Sequence, residues 1–450
     1  MKKIFTITII FIVFFSCKKQ LEIIPDYKFP SEIAISNLDS LESITTGAMN
    51  QLQSTNLFGG GLITNSELLA DNWDCSPISN FALNQIRTRD INAYNGEVNG
   101  LWNDGYRAIN MANIVLYHLP NHEEQDIIKS RKIKGECLFI RAISHFEMLR
   151  MFAQPAGYTS DNSHLGIPIR LSIGSATEHQ NTPRSTVEEV YNQIISDLNE
   201  ASLLLPDNKT DRISKWAAYG YLSKVHFQKD NYYDALFYCN EIINSGYFSL
   251  NSEVNEIYKT KGWNFTDETI FQIINIPNID VSNSALTGRL KWQDVKFSSY
   301  FDSIINVTND DRSQLNYKVF GINRLSKYKD VNMNVTVIRL AEIYLTRAEC
   351  KLNLGYSDSE VKDDYNLIRL RANNTNDLTL SDQYDLSEAI SIERLLELGF
   401  EGDHFHNIKR KKGIFNSPIG TFYWNDPKLV YPIPQQEIDM NENMIQNEGY

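Results

Sequence analysis

Apolar residues recur along this chain at intervals of three and four over long stretches, and that periodicity restricts it to a fold built mainly from helices. Between residues 336 and 352, Val337, Leu340, Ala341, Tyr344, Leu345, Ala348 and Leu352 share one helical face, while Arg339, Glu342, Arg347 and Glu349 lie off it. A helix of that kind buries one stripe against a core. Residues 133–152 are apolar nearly all round, which predicts a helix buried on every side. Residues 186–205 open with Ser185 or Thr186 as a cap, carry Glu188 and Glu189 in the first turn and stop at Pro206. Similar patterns predict helices over 102–119, 216–228, 233–243, 361–371 and 387–398.

Two stretches suggest how the helices pair. Tyr219, Leu222, Ser223 and His226 on one helix face Ala235, Cys239 and Ile242 on the next across a Lys229-Asp230-Asn231 turn. This alternation of large and small side chains is that of a tetratricopeptide unit, and residues 343–368, passing through Gly355, have the same layout. The period is too degenerate to establish a repeat alone. Residues 71–94, 247–300 and 408–450 are rich in Asn, Asp, Ser, Gly and aromatics, and are expected to be irregular, with apolar runs such as 270–276 as short strands. Gly59, Gly60 and Gly61 lack the Lys-Ser/Thr of a phosphate loop and read as a flexible loop.

The N-terminus has a separate logic. Lys2 and Lys3 precede an apolar run over residues 4–15, followed by Ser16 and Cys17. A basic segment, a short apolar segment and a small residue at the cut describe a secretory signal peptide over residues 1–16, too short to span a bilayer as a mature helix. A cysteine directly after such a cut is the lipoprotein arrangement, so Cys17 is the expected lipidation site and the mature chain is expected to start there. Formal net charge is -13, from 43 Lys and Arg against 56 Asp and Glu, which argues against nucleic acid or anionic lipid as a partner. Of the other cysteines, Cys137, Cys239 and Cys350 sit in apolar helical stretches and Cys75 does not. Their spacing matches no metal pattern, so no disulfide framework, metal or cofactor is expected.

Seven segments in order carry a resemblance: residues 102–116 (WNDGYRAINMANIVL), 135–149 (GECLFIRAISHFEML), 166–168, 183–205 (PRSTVEEVYNQIISDLNEASLLL), 337–349 (VIRLAEIYLTRAE), 392–410 (IERLLELGFEGDHFHNIKR) and 431–450 (YPIPQQEIDMNENMIQNEGY). Together they resemble the SusD/RagB family, from the lipoprotein cysteine to the final tyrosine. The resemblance implies an α-superhelix of tetratricopeptide-like helix pairs with a loop-rich, partly irregular face carrying a few short strands. It implies one domain over 17–450, with the scaffold near 100–245 and 336–400, binding loops near 56–100 and 247–335, and a tail over 408–450. Family members are cell-surface lipoproteins of the outer membrane that bind oligosaccharides, or in some cases peptides, and partner a SusC-like TonB-dependent transporter. Two departures stand out: His404 and Asn407 replace a common arginine and aspartate, so neutral hydrogen bonds are expected where a salt bridge would lie. Lys18, Lys19 and Gln20 replace acidic residues that often follow the cysteine.

Neutral sugars present flat C–H faces ringed by hydroxyls, so a binder needs exposed aromatics flanked by amides, carboxylates or guanidinium groups. Asp71, Trp73, Asn80, Phe81, Arg87 and Tyr94 in one loop region and Trp263, Phe265, Arg289 and Trp292 in another are the candidate ligand contacts. Trp102 and Trp216 lie inside helical motifs and are expected to be core residues. Glu393, Glu397 and Glu401 share a helix face ahead of His404 and His406. A metal site or a glycosidase carboxylate pair would use such residue types, but the expectation is a packing motif with a solvated acidic stripe. No HExxH, GxSxG or dinucleotide fingerprint is present. The expectation is a non-enzymatic protein that captures an oligosaccharide for uptake, with peptide capture as the alternative and a surface glycosidase as the least favoured reading.

Overall fold

The computed structural model describes residues 35–74, 80–173, 181–209, 212–275, 296–297, 310–319, 322–328, 330–372, 385–417 and 419–450. Cys17, Cys75, Arg289 and Trp292 lie outside the described residues. In chain order the first half comprises α1 (Leu38–Leu52), α2 (Gly61–Leu69), β1 (Trp73–Asp74), α3 (Phe81–Thr88), α4 (Gly96–His118), α5 (Ile127–Phe152), α6 (Val187–Leu204), α7 (Lys215–Gln228) and α8 (Tyr232–Asn244). The second half comprises β2 (Thr269–Ile273), β3 (Lys296–Phe297), β4 (Asn316–Val319), β5 (Ile322–Leu325), β6 (Val335–Arg339), α9 (Leu340–Asn353), α10 (Asp358–Arg371), α11 (Leu386–Leu398), α12 (His404–Arg410), β7 (Ile414–Ser417), β8 (Gly420–Tyr423) and α13 (Gln435–Met440). The strands form four antiparallel pairs, β1 with β3, β2 with β6, β4 with β5 and β7 with β8. The fold is mainly α, with each helix from α4 to α8 packed on its successor, and α9 packed on α8, α10 and α11.

Local chemistry accounts for the helix starts. Thr186 and Glu189 form a reciprocal capping box at α6, and Ser357 with Glu360 forms another at α10. Asn37, Asn95, Asp126, Ser214 and Asp385 cap α1, α4, α5, α7 and α11 with side-chain oxygens that accept otherwise unpaired backbone N–H groups. The central helix α5 is buried almost continuously from Gly135 to Leu149, as its apolar circumference predicts. Its close approach to α4 depends on Gly105, where a Cβ would lie 2.3 Å from Met148 Sδ. Trp102 is in the core, 4.8 Å from the Tyr106 ring and 4.9 Å from Phe152, and Trp216 is buried beside Tyr219 and Phe248.

The tetratricopeptide-like pairing is present at α7 and α8. Ser223 Oγ meets Cys239 Sγ at 3.1 Å, and the His226 ring stacks on Tyr238 at 5.8 Å. Cys350 of the next helix pair packs into the cluster of Phe227, Ala235 and Leu236. Cys137, Cys239 and Cys350 are free, buried thiols.

Several expectations are corrected. Helices α1 and α2 are additional, and the segment expected to be an irregular loop contains α3. Gly59, Gly60 and Gly61 are buried instead of forming a flexible loop, because Gly61 starts α2 where a Cβ would sit 2.4 Å from the Asn56 carbonyl oxygen. The helix expected from residue 336 starts at Leu340, since residues 335–339 pair with β2 as a strand. The tail carries a hairpin, and its last residues knit the middle of the molecule together. Asn447 Nδ2 donates to the Phe152 and Tyr431 carbonyls at 2.8 and 2.7 Å, Gln446 bonds both backbone groups of Ile433, and the Arg184 guanidinium donates to Ile445 O at 3.0 Å.

Candidate functional site

The first candidate loop region is set by a buried junction around Arg89. Asp71 and Arg89 both adopt left-handed backbone, which turns the chain sharply after α2 and after α3. The Arg89 guanidinium forms an ion pair with Asp71, donates to Leu69 O at 2.9 Å and to Ser417 Oγ at 3.1 Å, and lies 4.5 Å from the Phe422 ring centre. Ser417 Oγ in turn donates to Asp71 Oδ1 at 2.9 Å. One arginine thereby joins the α2 exit, the α3 exit and the β7–β8 hairpin.

Asn80 caps α3 by accepting from the Ala82 and Leu83 amides at 3.0 and 3.2 Å. Asn95, which caps α4, donates from Nδ2 to Ala82 O at 3.0 Å and to Gln85 Oε1 at 2.8 Å. The residues immediately after Phe81 and immediately after Tyr94 are therefore tied together. Phe81 and Tyr94 are each 74 % exposed. Arg87, half-buried, donates to Asn84 Oδ1 at 3.1 Å from the same helix. The structure thus brings Phe81, Arg87 and Tyr94 onto one small unit, while Asp71 and Asn80 are engaged within the fold and act to position it.

Trp73 enters this region through its backbone. Its strand pairs with β3, Trp73 opposite Phe297 and Asp74 opposite Lys296, so the first loop region is joined to the second a few residues after Trp292. Trp263 is exposed on a turn whose carbonyl at Gly262 accepts from Asn334 Nδ2 at 2.9 Å, and Phe265 nearby is half-buried. Asn275 N donates to Asn334 Oδ1 at 2.9 Å, which places that turn beside the Ile273–Val335 end of the β2–β6 pair. Among the described residues no ring contact or hydrogen bond joins Trp263 to Phe81 or Tyr94, so the two aromatic groups stand as separate elements.

Sequence reasoning missed the hairpin. Ile414 and Tyr423 are directly opposite and both exposed, whereas the next pair, Phe415 and Phe422, faces inward on Phe405 and Arg89. The sequence IFNSPIGTFY carries no period-two alternation, because apolar residues fall in adjacent pairs at 414–415 and 422–423, so the strand rule had no signal to read. Beside the hairpin, the Trp424 ring meets Tyr158 edge-on at 6.4 Å and lies under Lys412 Nζ at 5.4 Å. Exposed rings on fixed backbone are suited to stacking against a flat apolar face.

The carboxylates Glu393, Glu397 and Glu401 are a correction: the first two are buried and the third is partly buried in a charge cluster, not spread as a solvated stripe. Arg312 Nη1 lies 2.6 Å from Glu393 and 3.1 Å from Glu397, and Arg339 Nη1 lies 2.9 Å from Glu268. Arg371 bridges Glu268 and Glu397, and Lys327 Nζ meets Glu401 at 2.7 Å. Burial alone would push Glu401 up, but the adjacent Arg339 and Lys327 hold its carboxyl at about 2. With guanidinium groups on these oxygens, the cluster clamps the ends of the second loop region, at 268, 310–312 and 327, onto α11 and the turn after it. His404 makes the expected neutral bond, Nδ1 donating to Asn72 Oδ1 at 2.7 Å, whereas Asn407 Oδ1 accepts from the charged Arg410 guanidinium at 2.8 Å, so a charge-assisted bond stands there instead of a neutral one. Asn72 passes the chain on to Glu67, which also accepts from the Gly402 amide at 2.7 Å and is pushed up to about 7 by burial.

Comparison with known proteins places this architecture. Residues 19–227 match a family model described as starch-binding, associating with outer membrane, and residues 306–450 match the SusD family model. SusD-like protein P25 of Formosa agariphila is 23 % identical over 99 % of each chain. The starch-binding protein SusD of Bacteroides thetaiotaomicron is 32 % identical over 126 residues, covering 26 % of this chain and 22 % of that one. Among solved structures, a SusD superfamily protein of Bacteroides thetaiotaomicron superposes with a TM-score of 0.81 at 24 % identity, covering 91 % of this chain and 99 % of the other. A SusD-like carbohydrate binding protein of Bacteroides vulgatus superposes with a TM-score of 0.77 at 20 % identity, over 91 % and 97 % of the two chains. Two family models matched in order, and a backbone shared over most of its length, lead to one assignment: the chain belongs to the SusD/RagB family.

Proposed function

We propose that this protein captures an oligosaccharide outside the cell and delivers it to a SusC-like TonB-dependent transporter, held at the outer membrane by lipid on Cys17. The observation that carries the reading is the pair of exposed rings, Phe81 and Tyr94, on backbone fixed by Asn95 and by the Arg89 junction. The family model's description as starch-binding and associating with outer membrane supports the same reading. Rigid rings that need no reordering keep the entropic cost of binding low, and a few stacking contacts with hydrogen bonds give reversible, roughly micromolar affinity. Such an affinity allows release to a transporter. The role is capture without bond cleavage.

Affinity electrophoresis of the purified protein through gels containing single polysaccharides tests the reading. At least one polysaccharide should retard the protein, and Phe81→Ala or Tyr94→Ala should each weaken that retardation about fivefold to tenfold. Retardation by none, or the appearance of new reducing ends on incubation, would sink the proposal.

A further inference from the structure

Four large apolar side chains project from one end of the helical stack. Tyr117 near the end of α4, Ile127 and Ile128 at the start of α5, and Leu203 near the end of α6 are all exposed, and Ile128, at 84 %, is the most exposed large apolar residue among the described ones. The start of α5 and the end of α6 are neighbours in space, and Tyr117 stands at the end of α4 where the chain turns towards α5. Arg131 donates to Leu203 O at 3.3 Å, Lys134 meets Glu200 at 2.7 Å, and Ser130 Oγ bonds Glu123 O where the α4–α5 connection returns. The chain also comes in here from its N-terminal side. His122 Nε2 donates to Ile35 O at 3.0 Å, Leu38 N donates to Gln125 Oε1 at 3.1 Å, and Lys129 pairs with Asp39 and Glu42 at 2.6 and 2.7 Å. Cys17 lies eighteen residues before Ile35, a span of about 60 Å at full extension and much less on average.

From this juxtaposition we propose that the Tyr117–Ile127–Ile128–Leu203 end is a lipid-contact surface, seated in the headgroup region of the bilayer that holds the Cys17 acyl chains. The inference rests on the anchored reading above. Exposed apolar groups of this size mark an interaction site, and the occupant here is lipid for three reasons. The side chains protrude from helix ends instead of lining a groove, which suits a fluid surface. The tether keeps a bilayer within reach of this end at all times. The cations here are already engaged by Asp39, Glu42, Glu200 and a carbonyl, so contact is apolar and does not require the anionic lipid that the net charge of -13 disfavours. Helix α4, at 23 residues, is about 34 Å long and separates this end from Tyr94, which leaves the exposed rings clear of the surface.

The test uses the acylated full-length protein in phosphatidylcholine vesicles, with Cys75→Ser and a nitroxide carried at Ile128→Cys or, as the reference, at Tyr94→Cys. On vesicle binding, the label at 128 should lose about tenfold of its collisions with a water-soluble nickel chelate and gain collisions with oxygen, unaffected by added salt, while the label at 94 stays water-exposed. An acylated Cys17 with the label at 128 as wet as that at 94 overturns the lipid contact alone, as does protection that appears only when a second protein is added. No acyl mass on Cys17 and no vesicle retention overturns the anchor and this inference together.

Discussion

Lys409 illustrates how a single buried charge marks the energetics of this molecule. Its ammonium donates to Leu429 O at 3.2 Å and lies 5.3 Å from the Phe405 ring centre, and no carboxylate among the described residues forms an ion pair with it. Burial pulls its pKa down to about 7. The unfolded chain holds the extra proton between that value and the ordinary lysine range, so stability rises with pH across this window and is reduced at neutral pH. Lys409→Met should therefore stabilise the protein by roughly 2–4 kcal/mol at pH 7, with the gain shrinking as pH approaches 10. Urea unfolding of both proteins at several pH values checks this, and parallel pH profiles would refute it. A lone buried lysine was not legible in the sequence, where Lys409 stands among Lys411, Lys412 and Arg410 and reads as one of a basic run.

Elements were legible where local chemistry was self-consistent. The α6 start is an example: the cap and the two glutamates are visible in the residues, and the structure forms the box with Thr186. Thr186→Ala should lower stability by about 1 kcal/mol, read as a drop in the urea midpoint, whereas Ser185→Ala should leave the midpoint nearly unchanged. Helix α2 was missed for a physical reason. All nine of its residues are buried, so it has no polar face to reveal a period, and it begins at a glycine that sequence rules associate with turns. Helix α1 does have its buried residues at helical spacing, Leu38, Leu41, Thr45, Ala48, Met49 and Leu52, but Thr and Gly within it weaken the propensity signal. In the candidate site, Phe81 and Tyr94 were legible as ring-bearing residues, although Phe81 opens α3 instead of lying in a loop. The bond from Asn95 that unites them was not, because it joins residues thirteen apart.

At the scale of the whole molecule, long-range ion pairs hold the second loop region to the helical scaffold. Arg312 is fully buried with Asp310, Glu393 and Glu397, the last two more than eighty residues away in sequence. Removing one partner of such a cluster strands the others without compensation, so Arg312→Met should cost about 3–5 kcal/mol in urea unfolding at neutral pH. A cost under about 1 kcal/mol would show the cluster to be dispensable. Periodicity revealed the scaffold, but no local rule pairs Arg312 with α11, and for that reason Glu393, Glu397 and Glu401 read as a solvent-facing stripe. Residues 431–450 have a related consequence for biogenesis. Vectorial synthesis delivers them long after Phe152 and Arg184, so the Phe152 carbonyl and the Arg184 guanidinium wait for those partners until residues 445–447 have been made. Closure of this seam therefore depends on the arrival of a distant segment and cannot proceed in step with the synthesis of the helices it joins.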